Sequence, residues 1–213
     1  MIRIALLLVG AVAILVFAIV VLVIVPVTSL ERPKPSPRLR PYEGTVAEGR
    51  SVYIREGCVY CHSQQVRDPA FTNDERRGWG RPSVVSDYAY DQPHLLGTMR
   101  SGPDLLNVAA RLPDRKWHLM HLYQPRLVAP WSIMPSFPYL FEVKDRAEPT
   151  DEVVQLPAGA APAGKVVIAR PEASALVDYL LSLNRTFPPS LTTIQAAPAQ
   201  ATPAPAASAQ VTP

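Results

Sequence analysis

The apolar residues of this chain are concentrated in one run near its N-terminus. Ile4–Val27 contains no charged residue and is rich in Leu, Ile and Val. It is longer than the roughly 20 apolar residues that a helix needs to cross a bilayer. A cleaved secretory signal has a shorter apolar core and a small-residue cleavage site, which Pro26–Ser29 does not provide. The run therefore predicts an uncleaved transmembrane anchor over residues 1–29 rather than a buried helix of a soluble protein.

Helical spacing of apolar positions recurs in three later segments, and it predicts helices over Ala47–Glu56, Asp114–Tyr123 and Ala175–Leu183. Pro171 and Glu172 indicate the first turn of the last helix, because proline is tolerated there and an acidic residue suits the helix dipole. These helices predict a mostly α domain over residues 47–189.

Two flanking segments lack such a pattern. Closely spaced prolines in Glu31–Pro41 disfavour a helix and favour polyproline II, so residues 30–46 are predicted to form an extended riser between anchor and domain. Residues 191–213 are uncharged and built mainly from Ala, Pro, Thr and Gln. Such a composition cannot bury enough surface to fold, which predicts a disordered tail over residues 190–213.

The charged residues bear on two questions, the kind of partner and the orientation of the anchor. The net charge of +3 is too small to indicate a nucleic acid as partner. Beside the anchor, one basic residue precedes the apolar run, Arg3, and four follow it: Arg32, Lys34, Arg38 and Arg40. By the positive-inside rule this count would place the domain in the cytoplasm.

The chemistry lies in Cys58-Val-Tyr-Cys61-His62, which holds the only two cysteines. C-x-x-C-H is the attachment sequence of c-type haem: both thiols reach the vinyl groups of one haem, and the imidazole binds its iron. A thioredoxin-type dithiol follows a strand, whereas a helix is predicted here. Zinc needs two more ligands, and dinuclear copper needs wider cysteine spacing. We therefore expect one covalently bound haem c with His62 as an axial ligand.

This expectation decides the orientation. Haem c is attached outside the bacterial cytoplasmic membrane, so the site chemistry places the domain on the periplasmic side of the inner membrane. We therefore set aside the cytoplasmic orientation that the count of basic residues predicts.

Met134 is the predicted sixth ligand, since methionine or histidine completes an electron-transfer haem. It lies in an irregular loop, Ser132–Pro138, from which a side chain can reach the distal face. Met120 has the helical spacing of a core residue, and Met99 would have to serve the same side as His62. The weaker alternatives are His94, His118 and His121.

The chain resembles class I cytochromes c. In that fold the first and last helices cross at a glycine beside one aromatic residue from each, and Gly49, Tyr53 and Tyr179 fit these places. The resemblance also implies that the carbonyl of Pro103, in Gly102–Leu105, accepts a hydrogen bond from the ring of His62.

The resemblance narrows to the mono-haem subunit II of cbb3-type cytochrome c oxidases. It spans residues 40–143, about half the chain, on these segments: Tyr53–Gln65, Tyr90–Pro93, Arg100–Leu105, Trp117–Tyr123, Pro125–Arg126 and Met134–Leu140. It implies that Arg111 pairs with a haem propionate. Residues 145–170 are a candidate insertion, and neither they nor the tail are explained by the match.

The resemblance implies one-electron transfer inside an oxygen-reducing, proton-translocating complex. Such a subunit takes electrons from another cytochrome c, commonly the di-haem subunit, and passes them to haem b of the large catalytic subunit. Oxygen is reduced there, so no catalytic residue and no small-molecule substrate are expected on this chain. Two alternatives stay open: the small haem c subunit of a nitric oxide reductase, and a free-standing anchored electron carrier.

Overall fold

The computed structural model describes residues 2–29 and 34–188, and its first element is the predicted anchor. Helix α1 (Ile2–Ser29) reaches a mean hydropathy of 3.5, and none of that window is buried inside the protein. A π-helical turn, Val20–Ile24, interrupts it. Pro26 lacks an N–H group and its ring crowds the carbonyl group four residues earlier, which accounts for the wider turn. By length and composition α1 can cross a membrane.

The regular secondary structure in the rest of the described chain is mostly helical, as predicted. Its helices are α2 (Gly44–Arg55), α3 (Val108–Arg111), α4 (Arg115–Tyr123) and α5 (Pro171–Ser182). Two short antiparallel strands, β1 (Phe141–Lys144) and β2 (Val166–Ala169), pair with Phe141 opposite Ala169. Short 3₁₀ turns and irregular segments connect these elements.

Helices α2 and α5 cross at Gly49. A β-carbon on Gly49 would lie 1.8 Å from the carbonyl oxygen of Ala175 and 2.9 Å from the β-carbon of Tyr179. Only glycine therefore permits this approach. The fully buried rings of Tyr53 and Tyr179 meet edge to face beside it, with centroids 5.4 Å apart. The predicted glycine crossing and its two aromatic residues are confirmed.

The main hydrophobic core surrounds this crossing and collects side chains from α2, α4, α5 and the two strands. A second, smaller core lies under the long segment between α2 and α3 and consists of Val66, Trp79, Tyr88 and Leu106. That segment has little regular structure, so its own apolar side chains hold it in place.

The boundary predicted between riser and domain differs from the structure. Helix α2 begins at Gly44, three residues before Ala47, because Glu43 is the extended residue that precedes it (φ −132°, ψ 159°). The described part of the riser is not extended throughout. It turns where the amide of Leu39 donates to the carbonyl of Ser36 over 2.9 Å, and both residues are buried.

Strand β1 directly precedes the candidate insertion, 145–170, and β2 lies within it; neither strand was predicted. Arg115 at the start of α4 ties this segment to the domain: its Nη2 donates to Glu152 over 2.9 Å, and it also pairs with Asp178 of α5. Residues 145–170 are thus anchored on two helices. The tail predicted over 190–213 lies outside the described residues.

We predict that Gly49→Ala lowers the free energy of unfolding by about 1–3 kcal/mol or more, because the new methyl group forces α2 and α5 apart. Urea unfolding of the full chain in detergent, followed by tryptophan fluorescence, measures this. Glu48→Ala, on the exposed side of the same helix, is the control and should change stability by less than about 0.5 kcal/mol. Equal stability of both variants would contradict the crossing.

Candidate functional site

The two cysteines lie in a tight turn at the C-terminal end of α2. Gly57 takes a left-handed conformation (φ 71°), and the 3₁₀ turn Cys58–Tyr60 follows. The amide of His62 donates to the carbonyl of Cys58 over 2.9 Å. Both thiols are free, with Cys58 half-buried against the main core and Cys61 exposed. The turn thus presents two thiols and one imidazole from five consecutive residues.

The environment of Cys58 disfavours the dithiol alternative. Burial, with a smaller effect of the nearby Glu56 carboxylate, raises the pKa of the Cys58 thiol to about 12. Redox-active dithiols depend on a cysteine with a lowered pKa. Cys58 is therefore protonated at neutral pH and is unsuited to thiol–disulfide exchange.

The ring of His62 is fixed by a backbone carbonyl group. Its Nδ1 donates to the carbonyl oxygen of Pro103 over 2.8 Å, the contact that the resemblance implied. The proton is then held on Nδ1, which leaves the lone pair of Nε2 for a metal. Burial lowers the pKa of His62, although the Pro103 hydrogen bond opposes this. A neutral imidazole, the form that binds metals, therefore prevails at neutral pH.

Residues 96–106, which we call the strap, lie directly against this motif. Three backbone hydrogen bonds join the two segments: the amide of Gln64 to Leu96, that of Gly102 to Cys61, and that of Leu105 to Ser63, all between 2.8 and 2.9 Å. The motif and the strap therefore form one hydrogen-bonded unit.

Two glycines allow this contact. A β-carbon on Gly102 would lie 2.2 Å from Cε1 of His62, so the imidazole occupies the space of the missing side chain. One on Gly97, which has a φ of 68°, would lie 2.7 Å from the carbonyl oxygen of His62. Any larger residue at either position would push the strap away from the imidazole.

Asp104 is the buried centre of the strap. Its carboxylate is fully buried and accepts from the Ser63 hydroxyl at 2.6 Å, the Gln65 amide at 2.7 Å and the Leu106 amide at 2.9 Å. This role was not predicted from the sequence, although Asp104 lies in Gly102–Leu105, the segment that drew attention to Pro103. An acceptor between three donors fixes the position of Pro103, one residue earlier.

Arg100 links the strap to the second core. Its guanidinium donates to the Ser63 hydroxyl at 2.9 Å, to the Asp74 carboxylate at 2.7 Å and to the Gln65 carbonyl at 2.6 Å. It also lies 5.3 Å from the ring centroid of Trp79. The strap is thereby attached to the irregular segment that precedes it.

Arg111, in the last turn of α3, carries a positive charge without a carboxylate partner among the described residues. Its Nη2 donates to the backbone carbonyl of Asp104, and its buried Nε has no hydrogen-bond partner there. Burial lowers the pKa of Arg111, and its charge in turn lowers that of His62. A spare donor and an unpaired cation beside His62 suit the carboxylate of a bound group.

The three methionines lie in different surroundings. Met134 is half-buried and packs on the same core as Cys58, whereas the Met99 side chain is exposed. Met120 packs on the core from α4, as its spacing predicted. The loop of Met134 is held by the Phe137 amide, which donates to the Leu122 carbonyl over 3.0 Å. Met120 and Met134 are thus both half-buried on the main core, one in a helix and the other in a loop.

The histidines other than His62 also lie in different surroundings. His94 is exposed, and the buried His118 bonds to the Leu112 carbonyl through Nε2 over 2.8 Å. His121 stacks on Trp117 with centroids 4.6 Å apart, and its buried Nδ1 has no partner among residues 2–29 and 34–188. Burial first, then the charges of His118 and His62, lower its pKa to about 4.

The residues present fit a haem bound through two thiols and one imidazole. Cys58, Cys61 and His62 share one turn, Pro103 orients the ring, and Arg111 adds a cation. Within the described ranges no group of three or more Cys, His, Asp or Glu could hold a metal ion by itself.

Comparison with known proteins points in the same direction. The family model described as "Cytochrome C oxidase, mono-heme subunit/FixO" matches residues 2–184, from the first turn of α1 to beyond α5. A search of curated proteins finds no match to this chain.

We predict that Asp104→Asn destabilises the domain by about 1–3 kcal/mol, because the new NH₂ group must face an N–H or O–H donor whichever way the amide turns. Urea unfolding of the full chain in detergent measures the change. Asp68→Asn is the matched control, because the exposed Asp68 carboxylate accepts from the Ala70 amide alone within the described part of the chain. A loss as large in the control would show that the burial of Asp104 is not the cause.

Proposed function

Because the chain belongs to the mono-heme subunit (FixO) family of cytochrome c oxidases, we propose that it is the electron-transfer subunit of a cbb3-type oxidase and carries one haem c. Family membership already implies one haem and a place in an oxidase complex. The proposal that this chain binds its haem covalently rests on the His62 imidazole, which Pro103 holds beside two free thiols.

Cys58 and Cys61 would hold the group as thioethers, and Nε2 of His62 would bind its iron. When bound, the haem supplies one-electron chemistry at that iron. The Pro103 carbonyl keeps the proton on Nδ1, which orients the ring and strengthens Nε2 as a ligand. The strap limits movement of the ring. The imidazole fills the space left by the missing side chain of Gly102, and the hydrogen bonds of Asp104 hold the neighbouring Pro103 carbonyl group in position.

Met134 would be the sixth ligand. It is half-buried in a loop and packs on the same hydrophobic core as Cys58. A thioether ligand raises the reduction potential relative to a second imidazole. Exclusion of water by the surrounding apolar side chains acts in the same direction, since it disfavours the more highly charged oxidised form.

Arg111 would pair with a propionate. A half-buried arginine with an unpartnered Nε is costly by itself, because its charge is partly desolvated. A carboxylate at that position would satisfy the donor and neutralise the charge.

The role in the complex is electron relay. The chain would accept an electron from another cytochrome c or from the di-haem subunit and pass it to haem b of the catalytic subunit, where oxygen is reduced. The membrane-spanning α1 would keep the domain beside that subunit, on the periplasmic side where haem c is attached. The family match favours this oxidase interpretation over a nitric oxide reductase subunit.

Isolation of the native membrane complex tests the proposal. We expect this chain to stain for covalent haem and to co-purify with a di-haem cytochrome and an oxygen-consuming large subunit. A partner that consumes nitric oxide, or a haem-stained chain that purifies alone, would overturn it.

We predict that Met134→Ala keeps covalent haem but loses the sulfur-to-iron charge-transfer band and lowers the reduction potential. Visible absorption and redox titration of the purified complex measure both. Met99→Ala removes the same side chain from an exposed position and should leave band and potential unchanged. An unchanged spectrum in Met134→Ala, or the same loss in the control, would refute the ligand assignment.

A further inference from the structure

Two of the basic residues that follow α1 line a cleft. Arg38 and Arg40 are exposed, and neither forms an ion pair or hydrogen bond with another described residue. Together with Tyr42 and Arg185 they border a cleft of about 530 Å³, which we call the riser cleft. Its other wall is the end of α5 and the residues that follow, 182–187.

Arg185 is the buried base of the riser cleft, with 4 % of its surface exposed. Its guanidinium donates to oxygens of neutral groups: the Tyr42 hydroxyl at 3.0 Å, the Asp87 carbonyl at 3.2 Å and the Ser182 carbonyl at 3.2 Å. No carboxylate of the described chain lies within ion-pair distance of it. The charge of Arg185 is therefore held in place by neutral groups.

Asp91 is the carboxyl group behind this base, and it does not line the cleft. It is buried, and burial raises its pKa although Tyr42, Arg50 and Arg185 oppose the shift. The lining residues include no Asp or Glu. Three arginines thus face one space that no described acidic side chain shares.

The chemistry of this space suits a phosphate group. Arginine presents forked donors that match phosphate oxygens, and the two exposed guanidinium groups are unused. Apolar side chains of Val46 and Phe187 also line the cleft, and they suit the carbon atoms of an attached alcohol. The volume lies within the roughly 300–1,000 Å³ of ordinary small-molecule sites.

The length of the connecting chain limits how far this cleft can lie from the end of α1. Arg38 follows the last residue of α1, Ser29, by nine positions. Even fully extended, such a segment spans at most about 32 Å. The phosphate groups at highest local concentration are therefore those of lipid headgroups.

We propose that the riser cleft binds the phosphate of an anionic phospholipid through Arg38 and Arg40 above the buried Arg185. This site goes beyond the electron-transfer role and does not depend on it. It also gives Arg38 and Arg40, which follow α1, a function other than setting the orientation of the chain in the membrane.

Native mass spectrometry of the delipidated complex tests the proposal. The complex is titrated in nonionic detergent with phosphatidylglycerol, phosphatidylcholine or inorganic phosphate. We expect wild type to retain phosphatidylglycerol, and Arg38→Gln or Arg40→Gln to weaken that retention about tenfold, as loss of one charge-assisted contact does. Lys34→Gln removes one charge from an exposed riser residue outside the cleft and should retain the lipid as wild type does.

Three results would overturn the proposal: equal weakening in Lys34→Gln, equal retention of phosphatidylcholine, or inorganic phosphate binding as tightly as the lipid with the same dependence on both arginines. Loss of the other subunits from the variant complexes with unchanged lipid retention would also overturn it, in favour of a protein contact. Haem staining of each variant separates these outcomes from failure of the electron-transfer proposal, because the cleft residues lie outside the haem-binding motif.

Discussion

The close approach of α2 and α5 at Gly49 is the contact on which the rest of the domain depends. Backbone meets backbone there, with no room for a β-carbon. Tyr53 and Tyr179 then bury their rings against each other, and the main core forms around them. Since α2 leads directly into the turn with Cys58 and Cys61, the crossing also determines how that turn lies against the core.

The strap supplies the second constraint, and it acts on a single ring. The His62 imidazole lies over the bare backbone of Gly102 and bonds to the next carbonyl along the chain. Asp104 accepts from Ser63 and Gln65 on one side of the contact and from Leu106 on the other. Packing and hydrogen bonding together leave the ring of His62 little freedom to move.

Local signals made much of this structure predictable. The helix at α4 begins one residue after the predicted Asp114, whose carboxylate accepts from the Lys116 amide at 2.9 Å as an N-cap does. Pro171 opens α5 as expected. By contrast, no side-chain cap marks the start of α2, so its first turn was placed too late.

What remained hidden depends on contacts between distant residues. The strands β1 and β2 have four residues each and are separated by a segment rich in Pro, Ala and Gly, so neither shows a pattern by itself. The bond between Arg115 and Glu152 joins positions far apart in the chain. The turn in the riser likewise follows from burial of Leu39 rather than from the local proline pattern.

The order of synthesis gives the crossing at Gly49 a consequence in time. The ribosome releases α2 long before α5, since Ala175 follows Gly49 by roughly 120 residues. At about 5–20 residues per second this interval is on the order of ten seconds. Throughout it the partner surface of α2 does not yet exist, and the neighbouring turn with both thiols is not enclosed by the finished core. The late position of α5 thus provides a period in which Cys58 is accessible before the core closes around it.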